Sequence, residues 1–168
     1  MNLKERLICR LKNARDFSEK LLADFKTPEQ WTHQVHANSN HALWFAGHMG
    51  EVDNFAIGVI APDKAKEPAS YRELFGMGSQ PTNDPAKYPM PEEVVAFMRE
   101  RRQTLLDAAE KMSDADLEKP MPKGAPAFLS DFASLLEMMS WHEGIHAGQL
   151  TVVRRALGHK PLFGAPPT

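Results

Sequence analysis

Cysteine is almost absent: Cys9 is the only one in 168 residues. That excludes an internal disulfide and a cysteine-rich zinc site. Helical spacing puts Cys9 near the edge of an apolar face, where a buried, inert thiol is expected rather than a nucleophile. No apolar run approaches the ~20 residues that span a bilayer, so no membrane segment is expected. No Lys/Arg block is long enough to follow a phosphate backbone, and the formal net charge is only −2, which argues against nucleic acid as a partner. The stretch MNLKERLICRLKNAR is charged from its fourth residue and lacks the uninterrupted apolar core of a signal peptide, so the expected location is cytoplasmic. Strand patterns are scarce, and no internal repeat is seen. The length suits a single domain over residues 1–168.

What is present is helical period. Leu3, Leu7, Leu11, Ala14, Ser18, Leu21 and Phe25 recur at spacings of three and four, predicting a first helix over about 2–25 that Thr27-Pro28 ends. A second helix is predicted over about 39–60, with Asn38, Ser39 or Asn40 as its N-cap and Pro62 as its stop. Pro62, Pro68, Pro81, Pro85 and Pro89 then break any long helix in 61–90. This stretch reads as a crossover strapped over the bundle, with a short helix near Tyr71 to Phe75, and it is placed to cover a site. A third helix opens at Met90-Pro91-Glu92-Glu93, with proline at its first position and acids in its first turn. Residues 113–128 read as loop. A fourth helix runs from about Ser130 to a C′ glycine, Gly158. The expected fold is all-α, a four-helix bundle with a long crossover between helices 2 and 3.

The chemistry concentrates on the fourth helix. Phe132, Leu136, Met139, His146, Leu150, Val153 and Leu157 form one stripe at ~100° per residue, with His142 at its edge. Residues i and i+4 stack ~6 Å apart along the axis, so both imidazoles can aim at one cation. A lone buried histidine is usually only a core residue; two at this spacing need partners for both rings, and a shared ion supplies one. His142-Glu143-Gly144-Ile145-His146 is also a literal H-E-x-x-H, the zinc-protease motif. The longer protease form fails, because Gln149 and Val152 stand at its glycine and histidine positions. No Asp or Glu follows Glu143 to act as third ligand, and His159 lies past the helix end.

The third ligand is therefore sought upstream. Trp44, His48, Phe55 and Val59 share a face of the second helix, and Gly47 beside His48 permits a close neighbour. His48 completes a three-histidine set with open coordination positions. His33, His36 and His41 are read as surface or loop residues, and Glu51 as a solvated or ion-paired acid with carboxylate ligation as its alternative. Glu143 is the candidate general base, with a hydrogen-bond acceptor for a ligand N–H as the equal alternative. Gln149 is weighed as a residue supporting a ligand. Trp44, Trp141 and Met139 are candidate pocket walls or simple core. Arg101 and Arg102 interrupt the third helix's stripe: either one binds an anionic substrate, or they pair with acids.

NHALWFAGHMGE (40–51), YRELFGMGSQP (71–81) and WHEGIHAGQLTVVRRALG (141–158), with the order of helices and proline-rich connections, carry a resemblance over nearly the whole chain. The sequence resembles the DinB-like (DinB/YfiT) superfamily of metal-dependent proteins. The resemblance implies a four-helix bundle, metal ligands at His48, His142 and His146, and frequent homodimers. It implies one divalent metal, zinc or nickel first, with iron and manganese as alternatives. It also implies a small-molecule substrate, with relatives acting as thiol S-transferases or isomerases that use a low-molecular-weight thiol, or as metal-dependent hydrolases. The rival expectation is a non-catalytic bundle in which the ion is structural.

Overall fold

A computed structural model describes residues 1–66 and 68–164. Residues 165–168 of the expected domain, and Glu67 in the expected crossover, lie outside the described residues. The described residues are all-helical, in the order α1 (Leu3–Leu22), α2 (Pro28–Trp31), α3 (Ala42–Ile60), α4 (Tyr71–Phe75), α5 (Pro91–Lys111), α6 (Asp114–Leu117) and α7 (Phe132–Ala156). Among them no helix is long and apolar enough to cross a membrane.

Local chemistry sets the ends. Asn2 and Glu5 form a reciprocal capping box on α1, and Asp131 with Ser134 does the same for α7. Pro91 opens α5 where its missing N–H costs nothing. α7 closes on Gly158 (φ 86°), whose N–H reaches the Arg155 carbonyl while that of His159 reaches Arg154. That double bond is the Schellman arrangement expected of a C′ glycine. The N-cap of α3 is a correction: His41, not Asn38, Ser39 or Asn40, accepts the Trp44 N–H through Nδ1 at 3.0 Å. Two single-turn helices were not anticipated: α2, capped by Thr27, and α6, capped by Ser113 within the 113–128 stretch that reads as loop.

The long helices pack α3 on α5 and α7, and α1 on α7 and α5. Their apolar contacts form two clusters. One gathers Leu21, Leu22, Ala42 to Ala46, Met49, Phe75, Val94, Met98, Leu150 and Val153. The other gathers Leu7, Leu11, Ala56, Ile57, Leu105, Ala109, Leu135 and Leu136. In each long helix one charged residue falls between the two clusters: Arg15, Asp53, Arg102 and Glu143, all buried. Arg15 donates to Glu143 (2.8 Å) and Asp53 (3.0 Å), and Arg102 donates to Asp53 (2.9 Å) and Glu143 (2.7 Å). The remaining guanidinium contacts run to the carbonyls of Met98 and Leu11. Two cations and two anions cancel, so the layer is neutral and nearly saturated with hydrogen bonds.

The two readings of Arg101 and Arg102 are decided in favour of pairing with acids. Arg102 is no substrate-binding arginine, because its guanidinium is spent on Asp53, Glu143 and a carbonyl. Arg101 is also buried, and it pairs with Glu100, Asn54 and the Lys64 carbonyl. Arg15 takes the buried position that spacing gave to Ala14, while Leu3 at the helix start stays exposed.

The segment after α3 folds back against it through α4. A Cβ on Gly47 would run into the Phe75 ring, so only glycine lets α4 approach this closely. Gly47→Ala should cost ~1–3 kcal/mol of stability by overpacking. Glu143→Ala should cost ~3–5 kcal/mol, because it leaves two buried guanidiniums short of an anion. Urea unfolding of each variant checks both figures.

Candidate metal centre

His48 enters from α3, and His142 and His146 come from successive turns of α7. The ring centroids lie 5.2 Å apart for His48 and His142, 4.8 Å for His48 and His146, and 4.6 Å for His142 and His146. One nitrogen from each ring lies within 4.8 Å of the others. Ligand nitrogens around a tetrahedral zinc stand ~3.4 Å apart, given bonds of ~2.0–2.1 Å. Small side-chain rotations close that gap. The three residues singled out by spacing are therefore brought together, on two helices that pack directly against each other.

Hydrogen bonds fix two of the rings. His48 Nδ1 lies 2.7 Å from the Phe75 carbonyl, which can only accept. His48 must therefore carry its proton on Nδ1, leaving Nε2 with a free lone pair. His146 Nδ1 lies 2.9 Å from Gln149 Oε1, and the same oxygen accepts from Asn40 Nδ2 at 3.0 Å. That makes Nδ1 of His146 a donor as well, and Gln149 the supporting residue the sequence suggested. The buried Nδ1 of His142 has no partner, an orphaned polar atom on one of the three candidate ligands.

The rings are also in the right charge state. Burial is the main cause pushing His48 and His142 down to about 4. Neighbouring imidazoles push the same way. The Phe75 carbonyl opposes this at His48, and the charges of Glu143 and Asp53 oppose it at His142. His146 is lowered too, by burial, against the pull of Gln149. All three are neutral at pH 7, the form that ligates a cation. The donor set thus fits a divalent metal.

Trp44 stacks on His48 with centroids 4.3 Å apart and planes at 16°, and its Nε1 donates to Ser79 Oγ at 2.7 Å. Phe75 and Ser79 both belong to the 61–90 segment, so that segment reaches the site. Trp141 is half-exposed beside His142, and Met139 is core in the other apolar cluster. Phe75, Ser79 and Asn40 were missed in the sequence. Phe75 acts through a backbone carbonyl, which no residue type announces.

Glu143 sits one residue from His142 but turns the other way, with both oxygens held by Arg15 and Arg102. Burial alone would raise its pKa, but the two guanidiniums outweigh that and hold it below the ordinary value. A carboxylate so stabilised is a poor proton acceptor, so the geometry does not suit the general-base role expected of it. It also argues against the zinc-protease reading of the motif. Glu51 is half-buried with its pKa raised by burial, and Arg72 is the charge acting on it. Cys9 is free and partly buried, with Asn13 Nδ2 3.6 Å from its sulfur.

A family model described as the DinB superfamily matches residues 10–150. The chain belongs to the DinB superfamily. No curated protein matches it. Family membership and the three-histidine group together fit a metal-binding helical protein.

His41 is a further correction in this DinB superfamily chain. It is buried rather than on the surface, edge-on to Tyr88 at 5.0 Å, with its pKa pushed down to about 4 by burial against the Thr82 and Trp31 carbonyls. His33 is half-buried and His36 exposed, neither in the cluster. Between pH ~6.5, the unfolded value, and about 4, the unfolded chain binds protons that folded His41, His48 and His142 refuse. Metal-free protein should therefore lose stability as pH falls through this window. His41→Asn keeps a capping acceptor and should flatten the slope; an unchanged slope in a urea-unfolding pH series contradicts a neutral, buried His41.

Proposed function

We propose that this protein binds one divalent metal ion through His48, His142 and His146 and uses it to activate a nucleophile against a small-molecule substrate. The observation that carries this reading is the meeting of three neutral imidazoles from two helices, with the spare nitrogens of two rings anchored by Phe75 and Gln149. The scaffold is proposed to be one four-helix-bundle domain over 1–168, in which α1, α3, α5 and α7 are the four helices and 61–90 is the crossover. Zinc or nickel is the first candidate ion. Iron and manganese suit three imidazoles as well, and availability decides among them.

When bound, the ion supplies Lewis acidity that lowers the pKa of a thiol or a water toward neutrality. The chain's own residues supply the rest. Phe75 and Gln149 hold His48 and His146 in the tautomers that keep Nε2 free. Trp44 covers one face of His48 and keeps water from it. Among the described residues the cluster itself contains no carboxylate. That favours chemistry in which the metal alone generates the nucleophile, and a low-molecular-weight thiol loses its proton more easily than water does. The proposed activity is thiol-dependent S-transfer. Hydrolysis of a small substrate is the second reading.

Metal uptake and turnover test this together. Wild-type protein should take up one equivalent of zinc or nickel, and His48→Ala should lose ~10-fold or more in affinity. Turnover of an electrophile should require an added thiol. Turnover without thiol favours the hydrolase, and metal uptake without any turnover favours a structural ion. Full metal retention by His48→Ala contradicts the ligand set.

A further inference from the structure

The seam between α1 and α5 carries charge at the spacing that elsewhere in the bundle buries leucine. Lys12, Arg15 and Asp16 on α1 stand at i, i+3 and i+4, and Arg99, Arg102 and Gln103 on α5 repeat that pattern. Of the neighbouring pairs of long helices, these two touch least. Between them lies an open cleft of about 360 Å³ lined by those six side chains and Leu106. That volume falls in the range of small-molecule sites, ~300–1,000 Å³. No lining residue belongs to α3 or α7, so the cleft is separate from the histidine cluster. Four of the lining residues are cations and one is an acid. The carboxylates that pair with those cations do not line it: Asp53 and Glu143 hold Arg15 and Arg102, Glu19 holds Arg99, and Glu110 holds Lys12. Each ion pair therefore turns its positive end to the cleft.

We propose that the cleft between α1 and α5 binds a small phosphate-bearing molecule, held by Arg99 and Lys12. Arg99 bonds Glu19 through Nε and Nη2, which leaves the N–H groups of Nη1 for a ligand. Lys12 meets Glu110 at 3.2 Å in a pair exposed on both sides, which an anion displaces at little cost. A guanidinium fork beside an exposed ammonium is a donor set for phosphate oxygens. Gln103 Nε2 donates to Asp107 at 2.7 Å and keeps a second N–H for the same ligand. Arg15 and Arg102 stay with their carboxylates and act from the floor of the cleft through charge alone. They are only 6 % and 3 % exposed, so little water screens that charge. Asp16 is the single opposing charge in the lining. Four cations against one acid favour a multiply charged anion over a singly charged one. The inference does not depend on the metal reading.

Isothermal titration calorimetry of the full chain with inorganic pyrophosphate at low ionic strength tests it, with circular dichroism to confirm that each variant folds. Wild-type protein should bind one pyrophosphate. Arg99→Gln should weaken binding by ~10-fold or more, since it removes a charged donor. Lys12→Gln should weaken it as well, and Asp16→Asn should tighten it. Lys123→Gln removes the same charge from an exposed loop outside the cleft and should change nothing. Citrate should bind more weakly than pyrophosphate. No binding at ~1 mM pyrophosphate overturns the inference, as does binding indifferent to Arg99→Gln and Lys12→Gln. An equal loss in Lys123→Gln reduces the effect to overall charge and overturns it too. Binding that survives Arg99→Gln but is lost in His48→Ala places the anion at the histidines instead. Citrate binding more tightly than pyrophosphate overturns the phosphate assignment.

Discussion

Four charged side chains, one from each long helix, meet in the middle of an apolar core. Arg15, Asp53, Arg102 and Glu143 cannot be separated without stranding a buried charge, so sliding any helix by a turn is strongly disfavoured. Leucine-rich layers on either side tolerate small displacements at modest cost. The ionic layer does not, because each guanidinium meets its carboxylates at hydrogen-bond distance. This constraint sets α3 against α7. His48 lies five residues before Asp53, and His142 and His146 bracket Glu143. Fixing Asp53 and Glu143 through shared guanidiniums thereby fixes the height at which the three imidazoles face one another.

The same layer divides labour along α7. Successive residues of the H-E-x-x-H segment point to different neighbours: His142 and His146 toward α3, Glu143 toward Arg15 on α1 and Arg102 on α5. The motif looks like a protease signature but is split between a binding face and a structural face. What remains at the cluster is three neutral rings, an aromatic wall and the backbone carbonyl of Phe75. Such a set leaves the full charge of a divalent ion available to a ligand, which is why a metal-activated nucleophile is the chemistry proposed.

Much of this was legible in the sequence, for identifiable reasons. Apolar spacing located the four long helices, because each has a buried stripe several turns long. Tyr71 to Phe75 was located because prolines and glycines bracket it. The metal-ligating candidates were legible because histidines at i and i+4 inside an apolar stripe are chemically conspicuous. Other features were not. Arg15 and Asp53 were not singled out, although each falls in the buried arc of its helix, and that coincidence across four helices was the available signal. Glu143 was a candidate base because it stands beside His142, and nothing in the local spacing announces the guanidiniums of Arg15 and Arg102 that capture it. His41 lost to three better capping residues on propensity, yet its burial against Tyr88 decided the cap. α2 and α6 are single turns, too short for any period to show.

X-ray absorption spectroscopy on zinc-loaded protein addresses the central claim most directly, since it counts the imidazoles around the ion. Convergence of His48, His142 and His146 predicts three of them in the inner coordination shell, falling to two in His48→Ala. A shell with one imidazole or none, or one unaltered by that substitution, would contradict the account.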